Sequence, residues 1–142
     1  MKPVNQKILL PELGDCFRAC VASIFEFAIE DMPNFWEQTQ DGREYWELTN
    51  DWTAKNLGCR CVTATFLNGM DYQIKGVLCV ALGASERGSE DHAVVWRDGM
   101  IHDPHPSKFG LTNIPDAFTF FVPLTPTYDW PVERSNKDIE ND

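Results

Sequence analysis

The residues of this chain that are best suited to chemistry are one cysteine, one histidine and one aspartate. Cys16 follows Asp15, a residue type that often precedes a helix, and an amphipathic stretch comes after it. A thiol in the first turn of a helix is biased towards the thiolate by the helix dipole and by the free N–H groups there. The thiolate is the nucleophile of acyl transfer, and it needs a base, most often histidine. The candidates for that base are His92, His102 and His105.

The choice among these histidines rests on a predicted β-hairpin. An Asp-Gly pair between two apolar runs predicts a two-residue turn at Asp98-Gly99, which pairs Trp96 with Ile101. Side chains alternate between the two faces of a strand, so His92 and Asp103 then lie on one face as diagonal neighbours. A carboxylate in that place orients the imidazole and stabilises its charged form. We therefore rank His92 first as the base and assign Asp103 to orient it.

The other two histidines rank lower. The same register turns His102 to the opposite face of the hairpin. It places His105 on the face of His92, but beyond a proline, where strand pairing is expected to break. We rank His105 second and His102 third, so the sequence predicts a catalytic triad of Cys16, His92 and Asp103.

Helices are predicted in the first half of the chain, where they must position the thiol. The first starts near Cys16 and ends before Pro33, with apolar residues at helical spacing: Phe17, Cys20, Val21, Ile24 and Phe25. Cys20 belongs to this apolar stripe, so we assign it to the core. The second helix spans residues 43–56, and Gly58 is suited to its C-terminus.

Strands are predicted in the second half of the chain. Short apolar runs indicate them at residues 61–66 and 77–82, in the two arms of the hairpin and at residues 118–124. A polar loop is expected at residues 85–90. Helices followed by antiparallel strands favour an α+β fold. The predicted domain spans residues 1–124, and residues 125–142 form a C-terminal extension whose end, from Asn136, is expected to be disordered.

Composition narrows the class of partner. The 142 residues carry a formal net charge of −10 at pH 7. Binding of nucleic acid or of anionic lipid needs clustered Lys and Arg, so neither is expected. No apolar run approaches the roughly 18–20 residues of a membrane span. No signal peptide is predicted at residues 1–6.

The five cysteines indicate reduced thiols. Their number is odd and no secretion signal is predicted, so we expect free thiols and a cytoplasmic location. Ligand atoms for zinc are present in three pairs: Cys16 and Cys20, Cys59 and Cys61, and His102 and His105. None of these pairs has the CxxC spacing of structural zinc sites. We expect neither a metal nor a cofactor.

Two blocks of the chain resemble a known family. Residues 14–23 (Gly-Asp-Cys-Phe-Arg-Ala-Cys-Val-Ala-Ser) resemble the nucleophile helix of papain-like cysteine peptidases, closest to their C39-like branch. Residues 92–96 (His-Ala-Val-Val-Trp), followed by Gly99, Ile101 and Asp103-Pro104, resemble the second block of that branch. The blocks come in the family's order, and the resemblance extends over residues 6–110. Small, mostly uncharacterised proteins of bacteria and phages begin in a similar way.

The resemblance implies a papain-like fold, in which an N-terminal nucleophile helix and a helical half pack on an antiparallel β-sheet. It implies hydrolysis of a peptide, an isopeptide or another amide through a thioester on Cys16, with His92 moving the proton and Asp103 holding His92. It also implies an oxyanion hole made by the backbone N–H of Cys16 and an upstream glutamine, here Gln6. The implied partner is a peptide or protein-conjugate substrate.

Two other functions stay open at this point. An acyltransferase would use the same three residues, because the acceptor is selected by the shape of the pocket and not by the triad. Alternatively, the chain is a non-catalytic, acidic protein-binding module on a papain-like scaffold, with Trp36, Trp46 and Trp52 at its interface. The oligomeric state also stays open.

Overall fold

Two α-helices precede an antiparallel sheet in the computed structural model, which describes residues 1–10, 13–66 and 71–125. The helices are α1 (Cys16–Phe25) and α2 (Gly42–Leu57). The strands are β1 (Cys59–Ala64), β2 (Cys79–Ser85), β3 (Gly88–Trp96), β4 (Met100–His102) and β5 (Ala117–Pro123). This arrangement confirms the predicted α+β class. The tail predicted to be disordered, from residue 136, lies outside the described residues.

The five strands form one sheet in the order β1-β5-β2-β3-β4, and all pairs are antiparallel. The last strand, β5, lies between β1 and β2, so the sheet closes only when the end of the domain is in place. Strand β3 occupies a position next to the edge, between β2 and β4. This position brings the start of β3 and the chain that follows β4 to the same end of the sheet.

Both faces of the sheet bury apolar side chains. On one face α1 and α2 cover a core that contains Phe17, Val21, Val80 and Val95. The other face has a smaller cluster centred on Val94, with residues from β2 and β5. Alternation along β3 explains the division, because neighbouring residues of a strand point to opposite faces. Full burial of one such side chain contributes about 1.5–3 kcal/mol.

Helix α1 has the predicted apolar stripe, and it ends well before Pro33, which set the upper limit of its length. Phe17, Cys20 and Val21 are buried, and the remaining members of the stripe pack against them. The helix ends at Phe25 because Glu26 adopts a left-handed conformation, with φ of 60°. Its N–H then donates to Ala22 O within the last turn, which closes the helix.

Helix α2 starts and ends as its sequence indicates. The side chain of Asp41 accepts a hydrogen bond from the backbone N–H of Glu44, which satisfies one of the free donors of the first turn. Gly58 takes the left-handed conformation at the other end, with φ of 66°. No helix in the described part of the chain is long and apolar enough to cross a bilayer.

The hairpin of β3 and β4 differs from the prediction at its turn. Trp96 pairs with Met100, not with Ile101, so the connection has three residues instead of two. A bulge follows between Trp96 and Val95, and Val95 pairs with His102. The bulge takes up the extra residue, so the register beyond it is the one that a two-residue turn would give.

The predicted polar loop at residues 85–90 is wrong. Strand β2 continues to Ser85 and β3 begins at Gly88, and these two residues pair across a short turn. The ladder of hydrogen bonds is made by the backbone, so an exposed hairpin end can be extended without an apolar pattern. The consequence is that Arg87 sits at the tip of a hairpin that reaches the end of the sheet.

Candidate active site

Helix α1 presents Cys16 at its first residue, partly exposed to solvent. Because α1 begins at Cys16, the N–H groups of its first turn have no partner within the helix, and the thiol lies beside them. Side chains of α1 further along face the sheet, which leaves the N-terminal end of the helix open to a groove. Cys16 borders two cavities, a large one and a small one, which meet at its side chain.

The structure brings His92 and Asp103 into direct contact. His92 Nε2 and Asp103 Oδ1 are 2.7 Å apart, and both residues are buried. The carboxylate also accepts backbone hydrogen bonds from the N–H of His105 at 2.9 Å and from the N–H of Gly110 at 2.7 Å. Three donors thus fix the carboxylate, and the carboxylate fixes one ring nitrogen of His92.

Gly110 is needed in this arrangement for its size and conformation. Its φ is +69°, in the left-handed region that favours glycine. A Cβ atom at this position would lie 2.9 Å from the Sδ atom of Met100. Met100 is a flexible side chain that can move aside, so the left-handed backbone is the stronger reason for glycine at the position whose N–H donates to Asp103 Oδ2.

The second ring nitrogen of His92 is left for Cys16. Burial lowers the pKa of His92, but hydrogen bonds with Asp103 and Cys16, together with the charges of those groups, raise it above 6.5 overall. Since Nε2 is occupied by Asp103, the interaction with Cys16 falls to Nδ1. An imidazole with a raised pKa next to a thiol favours a thiolate–imidazolium pair.

The carboxylate of Asp103 stays ionised in this environment. Burial alone would raise the pKa of Asp103, but the hydrogen bond from His92 and the two backbone N–H groups outweigh it and hold that pKa well below its ordinary value. A permanently charged carboxylate stabilises the imidazolium form of His92. This is the physical role that a third member of a triad has.

Gln6 lies beside Cys16 although the two are separated by ten positions in the chain. Its backbone N–H donates to Pro104 O at 3.0 Å, next to Asp103, and its side chain is buried in the wall of the small cavity. Gln6 Nε2 donates to Ile8 O at 2.8 Å. The amide nitrogen has a second N–H, which this bond does not use.

Asp15 precedes α1, as expected, but its side chain does not cap the helix. The buried carboxylate instead accepts backbone hydrogen bonds from Lys7 at 3.0 Å and Ile8 at 2.9 Å, and Arg18 is 3.3 Å away. Asp15 thereby holds the N-terminal segment, and with it Gln6, against the start of α1.

The two lower-ranked histidines have other partners. His102 is buried on the opposite side, and its Nε2 is 2.8 Å from Val4 O, so it fastens the N-terminal segment to β4. His105 stands edge-on to the ring of His92, with ring centroids 6.3 Å apart. Its Nδ1 accepts from the backbone N–H of Ser107 at 3.0 Å. Burial and the nearby charge of Arg87 lower the pKa of His105, so it is neutral at pH 7.

The two cavities at Cys16 differ in size and lining. The larger has a volume of about 770 Å³ and is walled by aromatic side chains and a few polar ones, among them Phe17, Trp36, Tyr45, Trp46 and Asn50. The smaller has a volume of about 90 Å³ and includes Gln6, Leu9, Leu10, Arg87, His92 and His105 in its wall. Asp91, which is exposed, borders both. The arrangement suits a substrate that lies across Cys16 with one part in each cavity.

Sequence reasoning missed Arg87 and Gly110. Arg87 fell in the expected polar loop, and only the pairing of β2 with β3 brings it within 3.8 Å of Asp103 Oδ2. Gly110 is eight residues beyond the paired part of β4, and no pattern in the sequence signals its bond to Asp103. Among the described residues no group of three or more His, Cys, Asp or Glu side chains is placed to hold a metal ion.

Comparison with known proteins gave no match: no family model, no curated protein and no solved structure matches this chain.

Proposed function

We propose that this protein is a papain-like cysteine hydrolase that cleaves a peptide or another amide. One observation carries the proposal: the 2.7 Å contact of buried His92 with Asp103 beside a thiol at a helix N-terminus. The order of the three residues and the packing of α1 on an antiparallel sheet support the papain-like assignment. Cys16 is the nucleophile and His92 the general acid and base, while Asp103 positions His92.

The first half of the reaction forms a thioester. The Cys16 thiolate attacks the substrate carbonyl carbon, and a tetrahedral intermediate with a negatively charged oxygen results. The imidazolium of His92 gives its proton to the leaving nitrogen, the C–N bond breaks and the amine departs. The backbone N–H of Cys16 and the unused N–H of Gln6 stabilise the oxyanion.

The second half returns the enzyme to its starting state. His92, now neutral, takes a proton from a water molecule, and the hydroxide attacks the thioester carbon. The C–S bond breaks, the carboxylic acid product leaves, and the proton on His92 pairs again with the Cys16 thiolate. Asp103 keeps the same orientation of the ring through both halves, so no rearrangement is needed between them.

The large cavity and the five thiols support two further parts of the proposal. A volume of about 770 Å³ beside the nucleophile accommodates several substrate residues, which favours a peptide or protein-conjugate substrate over a small amide. All five cysteines are free thiols. A thiolate nucleophile persists in a reducing compartment, so we assign the protein to the cytoplasm.

The test is the rate of iodoacetamide labelling at each cysteine as a function of pH, read by mass spectrometry. We expect Cys16 to be labelled rapidly at pH 6–7, where an ordinary thiol with a pKa of about 8.5 is almost entirely protonated. The buried cysteines serve as internal controls, because burial raises the pKa of Cys59 to about 11 and of Cys79 to about 12. If Cys16 follows the pH profile of glutathione, the proposal is wrong and a binding role on the same scaffold becomes the better account.

A further inference from the structure

The position of His92 gives the active site a direction. The imidazolium must deliver its proton to the leaving nitrogen, so the leaving group lies on the His92 side of Cys16. His92 is part of the wall of the small cavity, and the described residues around the large one do not include it. The large cavity therefore takes the acyl part of the substrate and the small cavity takes the leaving amine.

The small cavity has room for only a short leaving group within its walls. Its volume is about 90 Å³, against about 770 Å³ for the large one, and it is half open to solvent. A single residue lies within it, whereas a longer peptide extends out of it. The exposed side chains of Leu9 and Leu10 line the outer part of the cavity.

The wall of this cavity carries a positive charge. Arg87 Nη1 donates to Ser107 Oγ at 2.9 Å and is 3.8 Å from Asp103 Oδ2, which fixes one edge of the guanidinium. Arg87 Nη2 is buried and has no hydrogen-bond partner in the described part of the chain. The side chain is only 20 % exposed, so an unused donor there is costly unless a ligand supplies an acceptor.

The carboxylate of Asp103 does not fully neutralise Arg87. Asp103 already accepts from His92 at 2.7 Å and from Gly110 at 2.7 Å, both closer than the guanidinium. His105, across the cavity, is neutral at pH 7 because burial and Arg87 lower its pKa. Among the described residues of the cavity wall, Arg87 and the imidazolium of His92 carry positive charge, and of the two it is the guanidinium whose geometry matches a carboxylate.

We infer that Arg87 binds the free α-carboxylate of the substrate's last residue, which makes the protein a carboxypeptidase. The inference rests on the proposed function and names its substrate class. The scissile C–N bond is then the last amide of the chain: the thioester forms on Cys16, and the proton from His92 goes to the nitrogen of the released amino acid. Asp91, at the junction of the cavities, stabilises the ammonium group that forms at neutral pH.

Two alkylating reagents test the inference without a known substrate. Iodoacetate carries a carboxylate, and iodoacetamide is its neutral analogue of nearly the same size. For Cys16 we expect the ratio of the iodoacetate rate to the iodoacetamide rate to exceed the ratio measured for glutathione, despite the net charge of −10. In Arg87→Gln the ratio should fall about tenfold, because a charge-assisted hydrogen bond is lost.

Matched variants and the second reagent separate the possible outcomes. Arg43→Gln removes a fully solvated arginine of α2, whose side chain is 89 % exposed, and should leave the ratio unchanged. A change in the triad would alter both rates together, so only the ratio reports on carboxylate binding. Rapid iodoacetamide labelling with an Arg87-independent ratio overturns the inference alone, whereas slow labelling by iodoacetamide overturns the proposed function.

A measurement on the unaltered protein covers the case in which Arg87→Gln does not fold. Millimolar alanine should slow the labelling of Cys16 by iodoacetamide, since its carboxylate occupies the small cavity, while alaninamide at the same concentration should not. Equal protection by the two compounds would also overturn the inference.

Discussion

Cys16 and Cys20 stand on successive turns of one helix and have opposite surroundings. Cys20 is fully buried among apolar side chains of the core, and burial raises its pKa well above the ordinary value. Cys16 is partly exposed, borders two cavities and is close enough to His92 to raise the pKa of that imidazole. The residue type and the helix are the same, so the difference arises from position alone.

The comparison shows what a reactive thiol requires beyond a cysteine on a helix. The first turn supplies unpaired N–H groups, and these are absent one turn later, where every N–H is bonded within the helix. The end of the helix also lies near the place where His92, in the middle of β3, meets Asp103, the residue after β4. The proposed reactivity of Cys16 is thus a property of the helix terminus and its neighbours in space.

The largest effect on the difference in reactivity between Cys16 and Cys20 is expected from His92→Gln. Without the imidazolium, the Cys16 thiol should behave as an ordinary thiol, and at pH 6.5 only about one per cent of such a thiol is ionised. We expect iodoacetamide labelling of Cys16 to slow about a hundredfold at that pH and to change little at pH 9. The wild-type and variant profiles should converge as the pH rises past about 8.5, because the thiol of the variant is then ionised without help from an imidazolium.

His102→Gln is the matched control for this variant. His102 is equally buried and also bonded through Nε2, but its partner is Val4 O and not the site. Labelling of Cys16 in folded His102→Gln, checked by circular dichroism, should stay within about threefold of wild type. A similar slowing in both variants would mean that any buried histidine change disturbs the site, and His92 would lose its assignment as base.

A smaller effect on labelling is expected from Asp103→Asn. Asparagine keeps an acceptor for His92 but removes the charge that stabilises the imidazolium, so labelling at pH 6.5 should slow about tenfold, equivalent to one pKa unit. Stability should change as well. The free energy of unfolding at pH 7 should fall by about 1–3 kcal/mol, since one carboxylate oxygen accepts the N–H of Gly110.

The pH dependence of that stability difference has a definite sign. The pKa of Asp103 is lowered in the folded protein, so its contribution is present above the unfolded value of about 3.9 and is lost as the pH falls through the folded pKa. The raised pKa of His92 adds a second contribution, which is fully present below pH 6.5 and is lost as the pH rises through the folded pKa. Urea titrations should therefore show a difference between wild type and Asp103→Asn that increases as the pH falls to about 6, stays level to about pH 5 and decreases below pH 4. A difference that grows below pH 4 would contradict the assignment.

Cys20→Ser is expected to have the smallest effect on the reactivity of Cys16. On stability the order is reversed, because Cys20→Ser should destabilise the protein more than Cys16→Ser does. Cys20→Ser places a hydroxyl in the core and should lower the free energy of unfolding by about 1–3 kcal/mol, with labelling of Cys16 within about threefold of wild type. Cys16→Ser should abolish the rapid labelling and change stability by less than about 0.5 kcal/mol. Equal destabilisation by both variants would show that the two positions are packed alike.

The hairpin register explains why the pairing of His92 with Asp103 could be predicted from sequence. The face of a strand on which a residue lies depends on the parity of the register, and the Asp-Gly pair sets that parity. The turn has one residue more than expected, and the bulge at Trp96 compensates for it. The prediction therefore held for the contact although the turn itself was wrong.

The rest of the site depends on contacts between distant parts of the chain. Gln6 is held by Pro104 O, and its neighbour Lys7 is held by the carboxylate of Asp15. Arg87 reaches Asp103 only because a polar hairpin extends the sheet. No local pattern of hydrophobicity encodes these hydrogen bonds, so they become visible only in three dimensions.

If the protein is the hydrolase proposed above, the attachment of the N-terminal segment to the far end of the domain sets when it becomes active during synthesis. Val4 O meets His102 Nε2, and Gln6 N–H meets Pro104 O, each across 98 positions of the chain. Cys16 is synthesised 87 residues before Asp103, which takes roughly 4–17 s at ribosomal rates of about 5–20 residues per second. During that time the nascent chain holds an ordinary thiol without a base. On the proposed function, the new chain is thus unable to attack its neighbours until β5, which completes the sheet under α1, has left the ribosome.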